Sequence, residues 1–259
     1  MKTMKTKQLV ALLICVTLIC FIPIKTSALV KCHWYIKHNR GGIPTFPSDA
    51  KLLEEYNVYY IDNKCVENDE KKIYLTFDAG YENGNIEKIL DILKNESVPA
   101  AFFLLDNIII KNTALVIHMA EEGHLVCNHT KNHKDLSFAS KEDIERNLSA
   151  LEMIYEEKTG KQMAKYFRFP EGNYTLDAIK YINDLGYKTI FWSFAYDDWD
   201  NSRQQSNERA IKKILDHTHN GAIILLHPTS STNAEILPTL ISEWRNMGYS
   251  FGTLDELTS

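Results

Sequence analysis

From Ile73 to the C-terminus, short apolar runs alternate with amphipathic stretches of about 10 to 20 residues. This alternation is typical of successive βα units, in which helices cover the strands of a parallel sheet. We expect seven strands, in chain order Lys72–Phe77, Ala100–Leu105, His124–Asn128, Lys165–Phe169, Lys188–Ser193, Ala222–Leu226 and Tyr249–Thr253. Periodicity does not decide whether such a sheet closes as a barrel or stays open and doubly wound.

Two of the stretches between these strands have a clear helical period. The first has apolar residues spaced as one face of a helix, namely Ile86, Ile89, Leu90 and Leu93. The second begins at Ser140, which with Asp143 resembles a capping box, and we expect a helix from there to about Lys158. Its apolar face is predicted to consist of Ile144, Leu148, Leu151 and Tyr155.

The N-terminus has the pattern of an export signal. Three lysines among the first seven residues precede an uncharged run from Leu9 to Ile24, which Ala28 follows shortly afterwards. The run contains Pro23 and is short for a spanning helix, so cleavage of residues 1–28 is favoured over a retained membrane anchor through residues 9–24. We therefore expect an exported protein.

The remaining chain divides into a short segment and one large domain. Residues 29–72 have no sustained period and are predicted to form an N-terminal arm, whereas residues 73–259 are predicted to form one large domain. Of the three cysteines beyond the signal, Cys32 and Cys65 could form a bridge, and Cys127 is expected to be a buried thiol. We expect a monomer.

The charge balance argues against a nucleic-acid partner. The full chain has 29 basic and 34 acidic residues, and loss of the signal removes four lysines and leaves a net charge of −9. Such a chain lacks the basic surface that binds a nucleic-acid backbone. The hydrophobic share of 44% and the charged share of 24% are those of an ordinary globular protein.

Five of the predicted strands end in ionisable residues. The segments are Thr76-Phe-Asp-Ala-Gly80, His129-Thr-Lys-Asn-His133, Arg168-Phe-Pro-Glu-Gly172, Asp197-Asp-Trp199 and His227-Pro228. Barrels and doubly wound sheets both place their chemistry at the carboxyl ends of strands. Each segment is weak evidence by itself, because an Asp after a strand is often a helix cap or a turn residue.

Two of these segments suggest specific contacts. His129 and His133 are four residues apart, so on one helical turn they could share a metal ion, although a solvated surface turn would give the same spacing. Arg168 follows an apolar run and needs a carboxylate partner, for which Asp78 and Asp198 are the candidates. That ion pair could also be purely structural.

In this order the five motifs resemble those of the polysaccharide deacetylases, carbohydrate esterase family four with the NodB homology domain. The resemblance covers roughly 73–257 and implies an α/β fold, the distorted (β/α)7 barrel of that family. Tyr59-Tyr60, the segment 76–83 and Glu122-Gly-His124 resemble most the delta-lactam-biosynthetic de-N-acetylases of spore-forming bacteria. That resemblance implies hydrolysis of peptide-stripped N-acetylmuramic acid in spore cortex peptidoglycan, leading to muramic delta-lactam, in the cell wall or the forespore intermembrane space.

The resemblance also implies a role for each motif residue. Asp78 matches the general base and His227 the general acid, while Arg168 orients the base and Asp198 holds Arg168 or His227. His129 and His133 match ligands of a divalent metal ion, with zinc expected. The substrate-binding residues are Gly172, Tyr174, Trp199 and Leu225.

Departures from the family pattern leave other functions open. Ala79 replaces the Asp that is the third metal ligand in typical members, and Glu171 replaces an aromatic residue. A deacetylase of N-acetylglucosamine in peptidoglycan or a chitin-like glycan, and a non-catalytic glycan-binding protein, are the alternatives. The only evident positive charges for a substrate are Arg168, the metal and either Lys131 or Lys134.

Overall fold

The computed structural model describes residues 30–259, and its strands form three sheets. In chain order the strands are β1 Cys32–His33, β2 Lys37–Asn39, β3 Gly42–Thr45, β4 Val58–Tyr59, β5 Lys72–Ala79, β6 Ala100–Leu104, β7 Leu125–Asn128, β8 Ala164–Phe167, β9 Asn173–Tyr174, β10 Lys188–Ile190, β11 Ala222–Leu226 and β12 Ser250–Phe251. β1 pairs with β9 and β2 with β3, both antiparallel. The other eight strands form one parallel sheet in the order β11-β5-β6-β7-β8-β10-β4, with β12 beside β5.

This main sheet confirms the predicted fold class. All seven predicted strands are present, and the sheet curls into a half-barrel with helices around it, as in the distorted (β/α)7 architecture. The strand predicted at Tyr249–Thr253 is the shortest of the seven, since only Ser250 and Phe251 pair with β5.

The segment predicted as an N-terminal arm also contributes a strand to the main sheet. Val58 and Tyr59 pair in parallel with Thr189 and Ile190, so β4 is the edge strand of the main sheet. Residues 31–259 accordingly form one compact unit. The predicted signal at residues 1–28 and the anchor at residues 9–24 lie outside the described residues.

Helices connect most of the strands. They are Ala50–Leu53, Asn63–Glu67, Asn85–Asn95, Asp106–Lys111, Thr113–Glu121, Lys141–Thr159, Leu176–Asp184, Asn207–Asp216, Ser231–Asn246 and Leu254–Leu257, with 3-10 turns at Glu54–Tyr56 and Pro170–Gly172. Within residues 30–259, none of the helices is both long and apolar enough to cross a bilayer.

Both predicted helical faces are confirmed. The four apolar residues of the helix 85–95 are fully buried, and so are those of the helix 141–159. Ser140 caps the longer helix, because its hydroxyl accepts a hydrogen bond of 3.1 Å from the backbone N–H of Asp143. That bond satisfies a backbone donor that has no partner inside the helix.

Alternation along the strands creates two separate apolar layers. On β5, Ile73, Leu75 and Phe77 pack into the layer between sheet and helices, whereas Tyr74 belongs to the cluster on the concave side. Because successive side chains of a strand point to opposite faces, Thr76 and Asp78 share the concave side with Tyr74. The sheet therefore directs Asp78 into the interior of the half-barrel.

Cys32 and Cys65 do not form a disulfide bond in the structure. The thiol of Cys65 donates to Oδ2 of Asp62 at 3.0 Å and is buried. Cys127 on β7 is fully buried, as expected.

The long helix provides a test of the packing. Leu148 is 1% exposed and Met153 on the same helix is 63% exposed. We expect Leu148→Ala to lower the free energy of unfolding by about 2–5 kcal/mol, because it removes transfer energy and leaves a cavity. Met153→Ala should change it by less than about 0.5 kcal/mol. Urea titration of both variants measures the difference, and equal effects would contradict the helix orientation.

Candidate active site

The five ionisable strand ends meet at the carboxyl edge of the main sheet, around two connected cavities. The larger cavity has a volume of about 670 Å³ and the smaller one about 200 Å³. Both are lined by Asp78, His129, His133, Trp199 and His227. The predicted convergence of the motifs is thus present in the structure.

Arg168 occupies the floor of this site and pairs with Asp78. The guanidinium is fully buried, and its Nη1 donates to Oδ1 of Asp78 at 2.7 Å. Its other N–H groups donate to Oγ1 of Thr76 and to the carbonyl of Ile190, both at 2.9 Å. Of the two candidate partners, Asp78 is therefore the one that Arg168 binds.

This contact determines the charge state of Asp78. Burial by itself raises the pKa of the Asp78 carboxyl, but Arg168 and the neighbouring imidazoles lower it further than burial raises it. The net pKa lies below the ordinary value. Asp78 is consequently ionised at neutral pH, with its Oδ2 3.5 Å from Nε2 of His129.

Asp198 binds His227 on the other side of the site. The backbone N–H and the ring Nδ1–H of His227 both donate to Asp198, at 2.8 and 2.7 Å. The amide of Asn233 donates to the same carboxylate at 2.6 Å. Because Nδ1 is used, Nε2 is the ring nitrogen of His227 that remains for a ligand in the cavity.

The pairing with Asp198 favours the charged form of His227. Burial lowers the pKa of this imidazole, yet the adjacent carboxylate of Asp198 raises it by more, and the net shift is upward. His227 therefore keeps its proton to a higher pH than an ordinary histidine.

His129 and His133 are neighbours, but not for the reason predicted. They lie in a bend rather than on a helical turn, with φ of 71° at Thr130 and 58° at His133, and their ring centroids are 5.1 Å apart. Nδ1 of His129 donates to the carbonyl of Arg168 at 2.9 Å, which leaves Nε2 for a ligand. Burial lowers the pKa of His129 to about 4, so the ring is neutral, the form that binds metals.

These donors fit a divalent ion only as a two-histidine site. Metal-binding histidines commonly donate their second ring nitrogen to a carbonyl, as His129 does to Arg168. Within residues 30–259, however, no group of three His, Cys, Asp or Glu side chains is placed to hold a metal. Ala79 has no ligand atom, and catalytic zinc usually has three protein ligands.

The four predicted substrate-binding residues divide into two pairs. Trp199 lines both cavities and is 65% exposed, and Leu225 lines the larger cavity. The prediction that Tyr174 binds substrate is not supported, because its ring is buried in the core and its hydroxyl donates to Asp49 at 2.8 Å. The same holds for Gly172, which lines neither cavity.

Gly172 instead allows two tryptophans to pack closely. It has a φ of +70°, and an added Cβ would lie 3.0 Å from the ring of Trp192 and 3.1 Å from Cβ of Trp34. Trp192 lines the larger cavity. The glycine therefore shapes the wall of the larger cavity through Trp192.

The motifs did not identify one part of the larger cavity. His33 from β1 lines it together with Glu171, and Asn173 links the two. The amide of Asn173 donates to Glu171 at 3.0 Å, and its oxygen accepts from Nδ1 of His33 at 3.1 Å. Of these three residues, the sequence indicated only Glu171, which differs from the family pattern. His33 and Asn173 were not predicted, because the pairing of β1 with β9 brings together residues that are far apart in the chain.

Among residues 30–259, no lysine or arginine lines either cavity. The residues that line the two cavities include Glu171, Asp197 and the shared Asp78, but their only basic groups are histidines. Lys131 and Lys134, suggested as sources of positive charge, line neither cavity. Arg168 is fully buried, so it acts on the site through Asp78.

Comparison with known proteins identifies relatives over most of the chain. A family model described as polysaccharide deacetylase matches residues 66–190. The peptidoglycan-N-acetylmuramic acid deacetylase PdaA of Bacillus subtilis is 37% identical over 216 residues, which cover 82% of this chain and 81% of the relative. A peptidoglycan-N-acetylglucosamine deacetylase of Bacillus cereus is 31% identical over 198 residues, covering 74% of this chain and 90% of the relative.

A solved structure extends the similarity to the fold. The structure of Bacillus subtilis PdaA, described as a family 4 carbohydrate esterase, superimposes with a TM-score of 0.83 at 35% identity. The match covers 88% of this chain and 96% of that chain.

The contact between Asp198 and His227 can be tested by titration. We expect the ring protons of His227, followed by NMR, to titrate above the ordinary pKa of 6.5. Asp198→Asn should lower the pKa of His227, because it removes the negative charge that stabilises the imidazolium.

Asp197→Asn is the matched control, since Asp197 lines the larger cavity beside Asp198 and no hydrogen bond joins it to His227 in the structure. An unchanged titration in Asp198→Asn would contradict the assigned cause of the shift.

Proposed function

The chain belongs to the polysaccharide deacetylase family and is a hydrolytic de-N-acetylase, and we propose that it acts on N-acetylmuramic acid in peptidoglycan strands freed of their peptides. The observation that carries this proposal is that two ion pairs lie beside one cavity. Asp78 with Arg168 supplies a base, and His227 with Asp198 supplies an acid. Amide hydrolysis needs both in one site.

Asp78 acts as the general base in this proposal. Removing the acetyl group requires that a water lose a proton as it attacks the acetyl carbon. Oδ1 of Asp78 is held by Arg168, which leaves Oδ2 to accept that proton. The fixed orientation avoids reorganising the carboxylate at the moment of attack.

His227 acts as the general acid. Expulsion of the sugar amine requires a proton on the departing nitrogen, and Nε2 of His227 carries one when the ring is charged. Asp198 holds the ring in place through Nδ1 and extends the pH range in which it is charged. Below the pKa of His227 the acid is present, and activity is lost as the pH rises through it.

His129 and His133 are the residues that would hold a divalent ion, for which we propose zinc. Such an ion supplies positive charge that polarises the acetyl carbonyl and lowers the pKa of water. Leu225 and Trp199 would form the slot for the acetyl group, because they line the larger cavity beside His227.

The choice of muramic acid is supported by a relative. The Bacillus subtilis PdaA that this chain resembles over 82% of its length is named for N-acetylmuramic acid. On this basis we also propose a role in forming muramic delta-lactam in spore cortex, with the enzyme exported by its N-terminal segment. The experiment described next also distinguishes this function from deacetylation of N-acetylglucosamine and from glycan binding without catalysis.

Acetate release from three polymers tests the function. We expect the zinc-supplemented protein to release acetate from peptide-stripped peptidoglycan, with muramic lactam among the products, and not from intact peptidoglycan or a chitin oligomer. Asp78→Asn should reduce the rate by at least about 100-fold, because it removes the base. Asp91→Asn, on an exposed position of the helix 85–95, is the matched control.

The other outcomes favour the alternatives. Acetate from the chitin oligomer alone would indicate a glucosamine deacetylase, and binding of glycan with no acetate from any polymer would indicate a binding protein.

The metal ligands are tested by zinc content. Replacing His129 and His133 together by Ala should abolish zinc uptake in equilibrium dialysis followed by elemental analysis, since these two imidazoles are the proposed ligands. The control replaces His118 and His217, which line neither cavity. Equal zinc content in the two double variants would exclude the proposed ligands, provided that both keep the wild-type circular dichroism.

A further inference from the structure

The smaller cavity is bordered by the two candidate metal ligands and by the end of β5. Ala79 and Gly80 at the end of β5 form part of its wall, together with both histidines. Among the described residues, no third ligating side chain accompanies His129 and His133. The cavity volume of about 200 Å³ equals roughly seven water volumes. The chain therefore leaves room for a substituent beside the two histidines.

The wall of this cavity combines apolar surface with little negative charge. Leu105 and Tyr81 line it beside Ala79, and Leu105 packs so closely on Gly80 that an added Cβ would lie 2.8 Å from it. Its one carboxylate, that of Asp78, is paired with Arg168 at 2.7 Å. Glu171 and Asp197 line only the larger cavity. An anionic group with a small apolar part thus meets less repulsion in the smaller cavity.

Muramic acid carries such a group next to the bond that is hydrolysed. Its acetamide is on C2, and the adjacent C3 carries a lactyl ether with one methyl and one carboxylate. In strands that still bear peptides this carboxylate is an amide and has no charge. A sugar whose acetamide lies at Asp78 and His227 therefore brings its lactyl group within reach of the cavity that adjoins both residues.

We propose that the smaller cavity binds the lactyl group and that the lactyl carboxylate supplies the anionic ligand that Ala79 cannot provide. The inference rests on the proposed function, since it requires muramic acid in the site. It gives Ala79 a part in specificity, because an Asp there would fill the third position and oppose a second carboxylate. It also accounts for the proposed action on peptide-free strands, since a neutral amide is a much poorer ligand than a carboxylate.

The proposal predicts that zinc and a muramic ligand bind cooperatively. The probe is a peptide-stripped oligosaccharide containing N-acetylmuramic acid, and the matched control is the same oligosaccharide with its lactyl groups converted to amides. Zinc affinity is measured by competition with a fluorescent chelator, in an Asp78→Asn background so that the acetamide is not hydrolysed. We expect the carboxylate form to tighten zinc binding at least about tenfold and the amide form to leave it unchanged.

Reciprocity supplies a second measurement on the same protein. Zinc must tighten binding of the carboxylate oligosaccharide by the same factor, which calorimetry with and without zinc determines. Equal affinity with and without zinc would show that His227 or another group binds the carboxylate, and this would overturn the proposal.

Variants at position 79 provide a further test. Ala79→Asp should bind zinc at least about tenfold more tightly than the parent without oligosaccharide, and the carboxylate oligosaccharide should add nothing. Ala79→Asn has nearly the same shape without the charge and controls for packing, since Ala79 is buried. If neither variant folds, the carboxylate and amide comparison on the Ala79 protein still decides the question.

Acetate release separates failure of this inference from failure of the proposed function. If the wild-type protein releases acetate from the stripped polymer but its zinc affinity is the same with the carboxylate and amide ligands, the inference alone is wrong. If no muramic polymer yields acetate, the proposed function is wrong as well.

Discussion

The site depends on one buried guanidinium. Arg168 has no exposed surface, and its ion pair with Asp78 and its hydrogen bonds offset the high cost of burying an unpaired charge. Its partners belong to different strands: Thr76 and Asp78 to β5 and Ile190 to β10. Its own carbonyl accepts from His129 after β7. One residue therefore links the carboxyl ends of four strands of the main sheet and fixes both the base and a candidate metal ligand.

The ion pair of Asp198 and His227 is also held by hydrogen bonds, but from a different part of the chain. Asp198 is buried and accepts from His227 twice and from Asn233 once. Asn233 lies in the helix 231–246, and its oxygen accepts from the hydroxyl of Tyr196. Asp78 and His227 directly follow Phe77 and Leu226, which are paired between β5 and β11, so the distance between base and acid is set by the pairing of these two neighbouring strands.

Much of the fold was predictable because its signals are local. Apolar runs and helical periods located all seven predicted strands and both helical faces. The partner of Arg168 remained open, since it depends on the pairing of β5 with strands from elsewhere in the chain. The proximity of His129 and His133 was predicted from a helical spacing, but a bend with two left-handed residues produces it. Tyr174 was misassigned because its motif does not show that Asp49, more than a hundred residues away, binds its hydroxyl.

The edge strand β4 and the short β1 affect the order in which the molecule can be assembled. Val58 and Tyr59 pair with Thr189 and Ile190, and Cys32 and His33 pair with Tyr174 and Asn173. A chain that emerges from the ribosome or from a translocation channel N-terminus first holds these strands unpaired until their partners follow. Such long-range pairing is slow to form, because the closure entropy of the loop must be overcome first. The wall that His33 contributes cannot form before Asn173 has emerged, and a partly emerged chain has an incomplete cavity.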